Sequence, residues 1–110
     1  MSTIEHPDPR GRRAPRRGIR VVCRRGAGPG ANIALTLLDL SESGAGLLLG
    51  ELVQPGEEVT LRLALAGPGR PLTCAGVVAW VIPTADGACC VGVRFAQPLD
   101  AADLARLARP

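Results

Sequence analysis

The chain contains no lysine: all thirteen of its basic residues are arginine. It contains no tyrosine, and Trp80 and Phe95 are its only aromatic residues. A nucleic-acid platform built from stacked rings is therefore not expected. The single histidine, His6, lies in an N-terminal stretch rich in proline, glycine and arginine, so no imidazole stands on a rigid element as a general base. Ser41 and Ser43 have no Ser–His or Ser–Lys partner, and the adjacent carboxylates Glu57 and Glu58 flank a turn and read as solvated. With no acid–base constellation, an enzyme is not expected. The cysteines Cys23, Cys74, Cys89 and Cys90 form no Cys-x-x-Cys pair. They read as small apolar strand residues rather than zinc ligands, and neither a metal nor a cofactor is expected. Long apolar runs are missing as well, which excludes a membrane-spanning helix. The first thirteen residues have no apolar core after their charges, so they do not read as a signal peptide, and a cytoplasmic location is expected.

The chain's 110 residues, 46% of them apolar, suffice for one small core. Its charge is divided unevenly. Residues 1–25 hold eight arginines against Glu5 and Asp8, a net +6, whereas residues 26–110 hold five arginines against eight acids, a net −3. A basic segment is attached to a mildly acidic body. Residues 1–18 lack hydrophobic periodicity and read as a flexible arm.

From residue 19 the period becomes that of strands. Residues 19–25 set Ile19, Val21 and Cys23 against Arg20 and Arg24, which places Arg20 on the outward face. A Gly-rich loop follows, then an apolar run over 32–40, a break at 41–43 and a third strand over 44–49. Gln54-Pro55-Gly56-Glu57 is a turn signal, and residues 58–65 alternate cleanly through Val59, Leu61 and Leu63. A long strand over 72–82 carries Trp80, a hairpin turn falls at Ala85-Asp86-Gly87, and residues 88–96 return with Val91, Val93 and Phe95 on one face. Core packing is the expected role of both aromatics. Asp100 then reads as the N-cap of a short helix, about 100–108, with Leu104, Leu107 and Ala108 on one stripe. Six strands between Gly/Pro turns and a final helix predict a mainly all-β fold, a small six-stranded antiparallel barrel, which also removes open edges.

Two features stand outside this framework. One is Arg10-Gly11-Arg12-Arg13-Ala14-Pro15-Arg16-Arg17, and the other is Asp39-Leu40-Ser41-Glu42-Ser43-Gly44. Singly, the first reads as a solvated or polyanion-binding tail and the second as a turn. Together, in this order, Arg12-Arg13-Ala14-Pro15-Arg16 and Asp39-x-Ser41-x-x-Gly44 resemble the PilZ domain family. Gly56-Glu57-Glu58-Val59, Gly76-Val77-Val78-Ala79-Trp80 and Val91-Gly92-Val93-Arg94-Phe95 extend the resemblance over nearly the whole chain.

The resemblance implies a six-stranded barrel with a C-terminal helix, and cyclic di-GMP, a bacterial second messenger, as the ligand. It implies that the arm folds over the barrel mouth and clamps the nucleotide against the Asp-x-Ser-x-x-Gly corner, so that residues 1–18 form part of the site and 19–110 the barrel. The implied ligand residues are Arg12, Arg13, Arg16, Asp39, Ser41 and Gly44, with Arg17 and Arg94 as additional candidates. Asp39 would accept from a guanine N–H edge, Ser41 would donate to the ligand or fix the corner, and Gly44 would permit the turn and a close approach. Arginine suits this ligand because its planar fork reads guanine O6 and N7 and also pairs with phosphate. The arm offers Arg-x-x-x-Arg at 12/16, 13/17, 16/20 and 20/24. The expected output is a change in the arm read by an unidentified downstream protein. The competing reading is a PilZ-like interaction module that needs no ligand. Membrane insertion and nucleic-acid binding are not expected.

Overall fold

The computed structural model describes residues 11–67 and 69–110. Six strands, β1 (Ile19–Arg25), β2 (Ala34–Leu40), β3 (Gly44–Leu49), β4 (Glu58–Leu65), β5 (Leu72–Pro83) and β6 (Cys89–Phe95), precede one helix, α1 (Ala101–Leu107). All neighbouring strands are antiparallel, in the order β1-β4-β5-β6-β3-β2. The sheet curls until its two ends, β1 and β2, approach each other, making a nearly closed barrel. Among the described residues no helix is long and apolar enough to cross a membrane.

Alternation explains the core. In β4, Val59, Leu61 and Leu63 turn inward and are buried, while Glu58 and Arg62 turn out. The register sets Cys23 opposite Leu61 and Leu61 opposite Cys74, so the inward row runs unbroken across three strands. Phe95 joins this core. The turn before β4 closes with a Glu57 N–H bond to the Gln54 carbonyl at 3.1 Å, and Gly56 takes φ +90° there, the left-handed conformation its position in the turn demands. α1 starts where Asp100 accepts from the Asp103 N–H at 2.7 Å, and it buries Leu104 and Leu107 against the barrel. β2 begins two residues later than its apolar run suggests. The Asn32 Oδ1 accepts from both Cys23 N–H (2.9 Å) and Ala34 N–H (3.0 Å), which holds the chain in a turn up to that point.

Two expectations are corrected. Trp80 is half-buried, not core, and its indole lies on the outer face of the sheet across Gly92. The register slips between Val78 and Trp80, and this bulge reverses the alternation after the buried Val78. Glu57 is not simply solvated. Arg25 donates from Nη1 to both of its carboxylate oxygens (2.9 and 3.0 Å) and from Nη2 to Glu51 Oε1 (3.3 Å) and the Leu52 carbonyl (2.6 Å). One guanidinium thus ties β1 to the segment leaving β3 and to the turn entering β4.

Residues 11–18, read from sequence as part of the arm, lie along the barrel rim. Arg13 and Leu40 exchange two backbone bonds of 2.9 Å, Arg16 N–H donates to the Leu107 carbonyl (3.0 Å), and Arg109 N–H donates to the Ala14 carbonyl (2.8 Å). The segment is thereby laced between the end of β2 and the chain after α1. The rest of the expected arm, residues 1–10, lies outside the described residues.

Cys23, Cys74 and Cys89 are buried, Cys90 is half-buried, and all four are free thiols. Burial pushes the Cys23 thiol from its ordinary 9.0 up to about 11; Arg25 opposes the shift and Glu57 adds to it. Because the folded protein favours the neutral thiol, the unfolded chain loses this proton first as pH rises. Cys23 therefore makes stability fall as pH climbs from about 9 to about 11. Urea unfolding at pH 8, 9.5 and 11 is expected to show a smaller loss in a Cys23→Ala variant than in the parent.

Candidate ligand site

The β2–β3 corner is built by its own side chains. Ser41 is buried; its Oγ accepts from the Gly44 N–H (3.2 Å) and stands 3.3 Å from the Gly44 carbonyl, to which it donates. Its backbone N–H donates to the same carbonyl at 2.8 Å. The corner is also fastened to the end of β6 and to the segment after it: Phe95 N–H donates to Ser43 O (2.8 Å) and Leu99 N–H to Glu42 O (2.9 Å). Ser41 thus fixes the corner, one of the two roles its position suggests.

Gly44 is required for closeness rather than for a left-handed turn, since it is not among the glycines of positive φ. A Cβ there would collide with the Val93 carbonyl oxygen on β6. Two residues on, a Cβ at Gly46 would fall 2.8 Å from Asp39 Oδ1. In the neighbouring strand a Cβ at Gly92 would occupy the place of the pyrrole side of Trp80. The register links these positions into one row: Asp39 opposite Gly46, Gly46 opposite Gly92, Gly92 opposite Trp80. Ala45, Leu47, Val91 and Val93 point into the core, so the glycines face outward. The two bare positions let the Asp39 carboxylate and the Trp80 indole lie flat on the sheet from opposite sides.

Arginines border this strip. Arg12 Nη1 stands 3.8 Å from Asp39 Oδ2, with the two side chains 28% and 29% exposed. Arg12 Nε is enclosed and makes no hydrogen bond among the described residues, so the guanidinium at this spot has a donor to spare there. Arg94 pairs in register with Gly44 and points outward two residues from Gly92, on the same face. The Arg13 and Arg17 side chains are exposed; Arg13 belongs to the site region through its backbone bonds to Leu40. Arg16 points elsewhere: its Nε and Nη2 donate to the Ala105 carbonyl (3.3 and 3.1 Å), near the C-terminal end of α1. The structure therefore brings Arg12, Asp39, Ser41, Gly44 and Arg94 to one corner, and leaves Arg16 on α1.

Sequence reasoning missed Gly46, Gly92 and the outward placement of Trp80. Its available signal was Gly46, a second glycine in a strand that otherwise carries alanine and leucine.

A family model of the PilZ domain matches residues 10–109. The chain belongs to the PilZ domain family. Its barrel, its C-terminal helix and the corner just described are thus the frame of a PilZ domain, and members of that family are binding or adaptor modules rather than enzymes. No curated protein and no solved structure matches the chain with significance.

The collision at Gly44 is with backbone, so a side chain there must push β3 from β6. Gly44→Ala is expected to cost about 1–3 kcal/mol in a denaturant melt. Gly28→Ala, where no described atom beyond its chain neighbours lies within 4 Å of the added Cβ, is expected to leave the unfolding free energy within about 0.5 kcal/mol of the parent.

Proposed function

We propose that this PilZ domain is a receptor for cyclic di-GMP that signals to a partner protein through its N-terminal segment. The observation that carries the reading is the meeting of the two sequence motifs at one place, with Arg12 3.8 Å from Asp39. The surroundings suit the ligand. Cyclic di-GMP carries two phosphodiester anions and two guanines. Asp39 accepts from a guanine N–H edge, and Arg12 and Arg13 supply forks for phosphate or for O6 and N7. Trp80, at the far end of the glycine strip, offers an aromatic surface for a base, and Arg94 adds positive charge beside it.

Arg16 gives the receptor its moving part. Its guanidinium rests on the Ala105 carbonyl. To clamp a nucleotide at the Asp39 corner it leaves α1, and the segment that shares backbone bonds with Leu107 and Arg109 is drawn with it. Ligand binding therefore exchanges contacts at α1 for contacts at the corner, and a partner that reads the rim registers the change.

Isothermal titration of the whole chain with cyclic di-GMP is expected to show saturable heat, against no heat for cyclic di-AMP. Asp39→Ala and Arg16→Ala are each expected to weaken binding about tenfold or more, as loss of a charged hydrogen bond does, without altering the thermal melt by a comparable factor. Added salt is expected to weaken binding further. Absence of heat from the folded protein would favour the ligand-independent interaction module instead.

In hydrogen exchange, saturating cyclic di-GMP is expected to speed the amides of residues 105–109 while slowing those of 12–16. Protection of both segments together would contradict the proposed exchange of contacts.

A further inference from the structure

We propose that the cleft between β1 and β2 is the docking site for an extended, acid-rich segment of a partner protein, which adds as a strand to the backbone edge at Val21. The inference does not rest on nucleotide binding.

The strand order makes β1 and β2 the two free ends of the sheet, and they face each other. Near the far end two bonds join them: Ile33 N–H donates to Cys23 O (2.9 Å), and Cys23 N–H donates to Asn32 Oδ1 (2.9 Å). Alternate residues of a strand turn their backbone groups to the same edge. Val21, two residues before Cys23, therefore presents its N–H and C=O to the cleft, where no described residue bonds to them.

At the rim the chain itself shows that this gap accepts added backbone. Arg13 pairs with Leu40 on the β2 edge, but Pro15 follows, bridges to Ala108 instead and has no N–H to continue a ladder. Between that single pair and the Cys23–Ile33 bond lies an open cleft of about 540 Å³. Its walls include Ile19 and Val21 from β1 and Ala34, Leu35 and Leu37 from β2. Leu35 is 59% exposed.

Charge selects the occupant. Arg16 and Arg20 line the cleft and no carboxylate does. Among the described residues neither Arg20 nor the adjacent Arg17 has a carboxylate partner. An incoming strand with apolar and acidic residues in alternation would set its apolar row inward, against Ile19, Val21 and Leu37, and its acidic row outward, towards Arg20. Backbone bonds supply the mode of binding, and the arginines exclude basic segments.

The test uses the whole chain without cyclic di-GMP, and a fluorescein-labelled eight-residue peptide of alternating glutamate and valine. Saturable binding by anisotropy is expected, with the Val21 amide exchanging at least about tenfold more slowly in the complex. Arg20→Glu, with its fold checked by circular dichroism, is expected to weaken binding about tenfold or more. The same peptide N-methylated at alternate residues is expected not to bind. Equal binding of the methylated peptide, an unprotected Val21 amide, or equal displacement by an eight-nucleotide thymidine strand would overturn the proposal. The last two outcomes would mark the surface as a general anion site. Since cyclic di-GMP is absent throughout, failure here is distinct from failure of the receptor reading.

Discussion

The arrangement of the corner depends on how closely β3 lies against β6 at Gly44, where the Val93 carbonyl takes the space of a side chain. That contact fixes the register of the two strands, which sets Gly46 beside Gly92. The bare row then admits Asp39 from one side and Trp80 from the other. The buried Ser41 holds the corner at the same level by bonding twice to Gly44. A polar strip on the outside of the sheet is therefore a product of backbone packing. Side chains of ordinary size at these positions would separate the carboxylate from the indole and lift both from the sheet.

Much of the barrel was legible because β-structure writes itself into alternation. β1, β3 and β4 have the bounds that their period suggests, and Asp100 caps α1 as its chemistry suggests. Trp80 was misplaced because a bulge adds one residue to a strand without any change in composition that marks it. The Arg25–Glu57 contact was hidden for another reason. Its partners are separated by 32 residues, and neither residue's local setting favours pairing over hydration. The rim segment was hardest to read, since it is held largely by backbone bonds, which every residue but proline can make. For the candidate site, the family resemblance of two motifs implied Arg12, Arg13, Arg16, Asp39, Ser41 and Gly44; that Arg12 adjoins Asp39 while Arg16 turns to α1 depends on where α1 ends, which is a tertiary fact.

The N-terminal segment has a double attachment. Through Arg13 it pairs with the end of β2, and through Ala14 and Arg16 it is tied to the residues around Leu107 and Arg109. The Arg16 side-chain contacts are exposed. Such bonds exchange readily for others of similar strength, because water competes for both states. A segment held by exposed contacts is ordered yet inexpensive to move, which is what the proposed receptor role asks of it.

The fork made by Arg25 lies at the end of the barrel away from the corner. It gathers β1, the Glu51–Leu52 segment and the turn at Glu57 into one knot. A nearly closed sheet tied at one end resists sliding of its strands there, so that a displacement at the mouth is taken up nearer the mouth. The basic segment, the corner and α1 all gather at the end opposite this tie.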